Sequence, residues 1–202
     1  ADSIYQNLNL LEWERPRYVL ILSGDHVYKM DYLEMLNFHQ VNNADMTVAA
    51  VTVPREEGRA FGILHVDEES RVVNFLEKPA EPPGLPESPD LALASMGVYI
   101  FNAETLVQEV IADAKRRESD HDFGKNIIPQ MVGRKRLFAF KFWEPDTGAP
   151  RYWRDIGRLD AYFEAHQDLL GATPAFTLDD PEWPIRGEIL TLPPAAFRGT
   201  RT

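Results

Sequence analysis

An α/β domain built on a mostly parallel mixed sheet is predicted by three observations. The run Tyr18-Val-Leu-Ile-Leu22 is apolar and β-branched and reads as a buried strand. It stops at Ser23-Gly24-Asp25, and an amphipathic helix over Met30–Val41 follows, with Leu33 and Leu36 on one face. A second apolar strand, Met46–Val53, closes at Pro54. Strand, helix, strand in this order is a βαβ unit, which favours parallel strands and a right-handed crossover.

The remaining elements follow in order. Asp2–Trp13 reads as a helix with Ile4, Leu8 and Leu11 inward, ended by Arg15-Pro16-Arg17. Phe61–Val66 and Arg71–Glu77, joined by Asp67-Glu-Glu-Ser70, read as a hairpin. Pro79 to Pro89 carries five prolines and is a loop. Ser95–Phe101 is another buried strand, after which Asn102 stands as N-cap of a helix over Ala103–Lys115. Phe123–Val132 is helical in pattern, with Pro129 limiting or kinking it. Leu137–Trp143 alternates as a strand, and Arg158–Leu170 reads as a helix with Leu159, Tyr162, Phe163 and His166 along one side. From Pro174 onward the chain is Pro-rich and weakly periodic. We divide it into a folded domain over 1–171 and a linker or surface arm over 172–202.

Composition narrows the function. A 44% apolar, 11% aromatic chain of 202 residues has material for a real core. Thirty-two acids against 21 Lys and Arg, a formal charge of −11, argue against broad nucleic-acid binding. An anionic substrate would need local cations or a bound metal. Cysteine is absent, which removes disulfides, zinc thiolates and a Cys nucleophile. No apolar run is long enough to span a membrane and the N-terminus carries no signal-peptide pattern, so cytoplasmic residence is expected.

Four polar groups fall at strand ends or loop edges: Asp25, Glu77-Lys78-Pro79, His121-Asp-Phe-Gly-Lys125 and Tyr152-Trp-Arg-Asp-Ile-Gly157. Each has a plain structural alternative. Asp25 can be a turn residue, Glu77-Lys78 a solvated strand end, His121 a surface residue, and Asp122 and Asp155 helix caps. Taken together they point to chemistry. Asp25 sits just beyond the carboxyl end of a strand, where ligands bind in open α/β sheets. With Asp155 it can share one hard cation, since Mg²⁺ takes one or two protein carboxylates and completes its shell with water and phosphate oxygens. Lys78, Lys125 and Arg154 are cations able to hold a phosphate. Trp153 or Tyr99 offers a flat wall for a sugar or base. Such a set suits phosphoryl or nucleotidyl transfer, where catalysis is mostly positioning and charge neutralisation.

Seven segments carry a resemblance: Ser23–Tyr32, Ala60-Phe-Gly62, Phe75-Leu-Glu-Lys-Pro79, Leu93–Tyr99, His121–Lys125, Tyr152–Gly157 and Trp183-Pro-Ile-Arg186. In this order and spacing they resemble the bacterial glucose-1-phosphate adenylyltransferases, the ADP-glucose pyrophosphorylases, from about Asp2 to about Phe197. The resemblance implies an incomplete Rossmann-like nucleotidyltransferase domain making ADP-glucose and pyrophosphate from ATP and glucose 1-phosphate with Mg²⁺, in bacteria for glycogen. It implies catalytic, metal-associated roles for Asp25 and Asp155, and places Lys78 on the phosphate of glucose 1-phosphate. It places Glu77, Ser95, Tyr99, Asp122, Phe123 and Trp153 around the sugar. It also implies a homo-oligomer, a homotetramer in the full-length family, under allosteric control.

The chain departs from the family in lacking a glycine-rich nucleotide loop before Asp25, the first strand, and the C-terminal left-handed β-helix. The expectation is a catalytic-domain fragment carrying the sugar-phosphate and metal half of the site, of marginal stability or dimerising through an exposed sheet edge. Arg158, where the family commonly has Thr, adds a cation near the metal site. A sister enzyme using UTP, dTTP or GTP, and a non-catalytic sugar-phosphate-binding or regulatory chain, are the alternatives.

Overall fold

The structure, a computed structural model, describes residues 1–170 and 172–184. The strands are β1 (Tyr18–Ile21), β2 (His26–Tyr28), β3 (Met46–Pro54), β4 (Gly62–Val66), β5 (Val72–Glu77), β6 (Leu91–Asn102), β7 (Leu137–Lys141) and β8 (Trp153–Asp155). The helices are α1 (Asp2–Tyr5), α2 (Leu8–Glu14), α3 (Tyr32–Val41), α4 (Ala103–Ala114), α5 (Ile128–Met131) and α6 (Leu159–Asp168), with a 3₁₀ turn at Glu57–Ala60 and a π turn at Phe123–Ile127.

Six strands form the main sheet in the order β5-β4-β6-β3-β7, with β1 pairing to β6. The α/β class holds. β1, β3, β4 and β7 run one way and β5 and β6 the other, yet β3–β7 is the one parallel pair of neighbours in the described sheet. The βαβ unit does return β3 in the direction of β1, but β6 lies between them and pairs antiparallel with both. A crossover fixes direction and leaves adjacency open.

β3 shows why the sheet is so apolar. Met46, Val48 and Ala50 pack into one core cluster with β6, α4 and α5, while Ala49, Val51 and Val53 pack into a second on the opposite face, with Met35 of α3. Period-two alternation with both faces covered requires a continuous apolar run.

Local polar groups set several boundaries. The first helix divides because Asn7 folds its amide back onto Ser3 O (2.8 Å), so α1 ends and α2 starts at Asn7 as N-cap. α3 begins at Tyr32, because the Asp31 carboxylate accepts from Leu33 N at 2.9 Å. Asn102 occupies the N-cap position of α4 without a cap hydrogen bond; its amide donates instead to Ala44 O at 2.9 Å. On α6 the expected apolar side faces out: Leu159 is 86% exposed and Phe163 63%, while Ala161 and Ala165 are buried. The arm over 172–184 has no helix or strand among its described residues, and the rest of it, with Ile185 and Arg186, lies outside them.

Candidate active site

The site opens where the main sheet is discontinuous. Along one edge of β6, β1 pairs from Asn102 to Tyr99, and β4 joins at Ala94. Between these partners lies Gly97, at φ +67°, in a bulge that shifts the β3–β6 register between Val48 and Ala50. A side chain at Gly97 would press on His26 Cε1 (3.1 Å) and Ser23 Cβ (3.3 Å). The bulge therefore makes room for the segment leaving β1, which carries Asp25. Ser95 and Tyr99 flank the bulge on the same strand.

Asp25 and Asp155 meet through the small β2–β8 sheet. Its three-residue strands pair antiparallel with His26 opposite Asp155 and Tyr28 opposite Trp153, and Ile156 N donates to Asp25 O at 3.0 Å. Both carboxylates overhang Gly157: a Cβ there would sit 3.1 Å from Asp155 Oδ1 and 3.7 Å from Asp25 Oδ2. Ser23 Oγ donates to Asp25 Oδ1 (2.9 Å) and Gly157 N to Asp155 Oδ1 (2.8 Å). Asp155 thus closes its own turn and does not cap α6, whose N-cap is Arg158 without a side-chain bond. Two converging carboxylates with free oxygens on a solvent-facing edge are the donor set Mg²⁺ accepts. No group of three or more potential ligands stands together among the described residues.

The second cluster is Glu77, Tyr99, Asp122 and Phe123. Gly124 admits the Glu77 side chain, since a Cβ there would run into the carboxylate; a Cβ at Gly62 would run into the Phe75 ring and lie 3.0 Å from Glu77 Oε2. Burial, and then the nearby Asp122 charge, push the Glu77 carboxyl above its usual range, against the opposing pull of Lys78 and Lys125. Burial pushes the Tyr99 phenol up to about 12, against the opposing pull of the nearby Ser95 hydroxyl. Phe123 packs on Tyr99 and Phe101, ring centroids 5.7 and 5.8 Å apart. Asp122 caps the π turn by accepting from Lys125 N at 2.9 Å. Its N-cap role and its place beside Glu77 coexist.

A continuous wall joins the two clusters. His26 and Phe61 both meet the Trp153 ring edge-on at 5.1 Å, and Phe61 O accepts from Lys78 N at 3.0 Å, next to Glu77. His26 Nδ1 and Trp153 Nε1 are buried without a hydrogen-bond partner among the described residues. The three expected phosphate cations separate. Arg154 is engaged with Glu164 and Asp168, both at 2.7 Å, and Lys125 with Asp120 at 2.9 Å. Lys78, at φ +45°, has no ion-pair partner among the described residues and is the cation left for a ligand. Sequence reasoning gave no role to His26, Phe61 or the accommodating glycines, although His26 adjoins Asp25 and all of them lie within the segments that carry the resemblance.

These features define a class. The nucleotidyl transferase family model matches residues 1–171, and the chain belongs to that family. Its curated relatives are more particular. It is 52% identical over 197 residues to glucose-1-phosphate adenylyltransferase 2 of Alkalilimnicola ehrlichii, covering 98% of this chain and 46% of the relative. The glucose-1-phosphate adenylyltransferases of Methylobacillus flagellatus and Rhodopirellula baltica are 50% and 49% identical, again over 98% of this chain, which covers 47% and 44% of them. The chain thus spans about half the length of the curated relatives it matches. No helix among the described residues is long and apolar enough to cross a membrane.

Proposed function

We propose that this chain supplies the sugar-phosphate and metal half of a glucose-1-phosphate adenylyltransferase site, acting in the cytoplasm in ADP-glucose supply for glycogen. The observation that carries the reading is the convergence of Asp25 and Asp155 over Gly157, joined by the Trp153 wall to Lys78 and Glu77. The names of the relatives, at about half identity over nearly the whole chain, point the same way.

In this reading Lys78 holds the phosphate of glucose 1-phosphate by charge. Glu77 and Asp122 accept from sugar hydroxyls, Tyr99 and Ser95 bound the pocket beside them, and Phe123 and Trp153 give it apolar walls. Asp25 and Asp155 would hold Mg²⁺, which supplies charge neutralisation between the two reacting anions when bound. A phosphate oxygen of glucose 1-phosphate attacks the α-phosphorus of ATP. The bond from that phosphorus to the bridging oxygen of the β-phosphate breaks, and pyrophosphate leaves with the electron pair. The attacking phosphate is already deprotonated, so no general base is needed, and no covalent enzyme intermediate forms. The assembled enzyme is read as a homo-oligomer, a homotetramer as in the full-length family.

Thermal unfolding with Mg²⁺, with and without glucose 1-phosphate or ADP-glucose, tests this. A ligand at a hundredfold excess over its Kd adds about 2.7 kcal/mol of apparent stability. The expected result is an upward shift with both ligands that is lost for glucose 1-phosphate in Lys78→Ala. A cooperative transition that neither ligand moves contradicts the reading.

A further inference from the structure

Asp113 lies on the last turn of α4, is 3% exposed, and belongs to neither cluster of the site. A buried carboxylate needs partners. Asp113 Oδ2 pairs with His121 Nδ1 at 2.8 Å, and its Oδ1 accepts from Ser119 Oγ at 2.7 Å. Ser119 Oγ in turn accepts from His121 N at 3.0 Å. His121 itself stands at φ +54°, a left-handed backbone that few non-glycine residues adopt and that histidine tolerates better than most. The next two residues are Asp122 and Phe123. Asp122 caps Lys125 N, and its carbonyl accepts from Asn126 N and Ile127 N at 3.1 and 3.2 Å, so the π turn is built on Asp122, directly after His121.

We propose that His121, anchored through Nδ1 by buried Asp113, is a positioning residue that aims Asp122 and Phe123 into the pocket beside Glu77 and Tyr99. This rests on the sugar-phosphate reading of that pocket. The buried carboxylate holds the ring, the ring holds a left-handed turn, and the turn orients the carboxylate and the aromatic that meet the sugar. Nothing else on α4 makes side-chain contact with the turn at hydrogen-bond distance among the described residues.

Two variants separate the anchor from the backbone. His121→Gly accepts the positive φ and removes the ring. Asp113→Asn keeps the volume and removes the charge, and His121→Asn, a residue that tolerates left-handed backbone, serves as the conservative comparison. Amide hydrogen exchange without ligand reads the turn, and titration with glucose 1-phosphate reads the pocket. The expected result is faster exchange confined to Lys125, Asn126 and Ile127, with protection of β3 and β6 kept. Glucose 1-phosphate should bind about tenfold more weakly in His121→Gly and Asp113→Asn, the scale of one lost charged hydrogen bond. His121→Asn should fall between these and the parent chain. Unchanged exchange at the three amides overturns the proposal, as does loosening that spreads equally to β3 and β6, which marks a general brace. Weakened exchange protection with unchanged glucose 1-phosphate affinity also overturns it. If the parent chain binds no glucose 1-phosphate, the functional reading fails, and the exchange pattern alone still decides whether His121 positions the turn.

Discussion

Glu77 and Tyr99 stand on strands of the main sheet and Asp122 on a turn packed against it, whereas Asp25 and Asp155 stand at the ends of a two-stranded ribbon of three residues each. The first region takes its rigidity from burial. Phe75, Phe101 and Ile127 beneath it are at most 4% exposed. The ribbon is too short to be stable alone. It is held by side chains: Arg154 between Glu164 and Asp168, Tyr152 Oη on Asp168 at 2.8 Å, Lys29 on Asp180 at 2.9 Å and over the Trp183 ring, and the Trp153 contacts with His26 and Phe61. One half of the site is thus a feature of the core and the other a feature of a polar network near solvent. On the proposed reading, a cation site completed by substrate oxygens tolerates such adjustable support, while a pocket for a sugar gains from fixed walls.

The two halves should break differently. The largest expected effect is on turnover: Asp25→Asn or Asp155→Asn, placed in the complete enzyme, lowers pyrophosphate release by about 10²–10³-fold, the range for losing one electrostatic stabiliser of a transition state. Stability should change little in Asp25→Asn, because Asp25 is 60% exposed at its side chain. Next is Gly124→Ala, which drives a methyl into the Glu77 carboxylate. It should cost about 1–3 kcal/mol by denaturant unfolding, the usual penalty for overpacking, and fall on the sugar half alone.

Arg154→Met comes third, with a loss of about 1 kcal/mol, since its partners are partly exposed and screened. Its signature is salt dependence. Raising ionic strength from about 0.05 to about 0.5 M should lower the stability of the parent chain more than that of Arg154→Met, because the Glu164 and Asp168 pairs are screened only where they exist.

The smallest effect concerns pH. Glu77 has a folded pKa above its unfolded value, so the folded state binds the proton more tightly. Its contribution is therefore favourable at low pH and is lost as pH rises from the ordinary carboxylate range through the raised folded value. Glu77→Gln should accordingly raise the melting temperature at neutral pH by about 1–3 °C while weakening sugar binding. An unchanged or lower melting temperature at pH 7 means that Glu77 is compensated by partners in the folded state.

The core elements were legible because burial imposes a period. β3, buried on both faces, and the β4–β5 hairpin, with its turn at Asp67–Ser70, follow from apolar pattern and turn chemistry. The β2–β8 ribbon was not, since three residues carry no measurable period and its pairing joins residues more than a hundred positions apart. The exposed side of α6 was legible as a stripe, but periodicity does not say which side finds a neighbour, and here Ala161 and Ala165 do. Asp25, Lys78 and Asp155 were nameable from motifs; that Arg154 braces its own ribbon depends on where Glu164 and Asp168 fall on α6. The left-handed turn at His121 gives no composition signal, and the carboxylate that its ring pairs with lies on another element.

The central claim is that the two halves hold different groups, and calorimetric titration tests it most directly. Glucose 1-phosphate and ADP-glucose would be titrated, with and without Mg²⁺, into the parent chain and the Asp25→Asn, Asp155→Asn double variant. Glucose 1-phosphate should bind the double variant and the metal-free parent within about threefold of the parent with Mg²⁺, whereas the metal dependence of ADP-glucose binding should disappear in the variant. Loss of glucose 1-phosphate binding on removing the two carboxylates, or a metal dependence that survives without them, would contradict it.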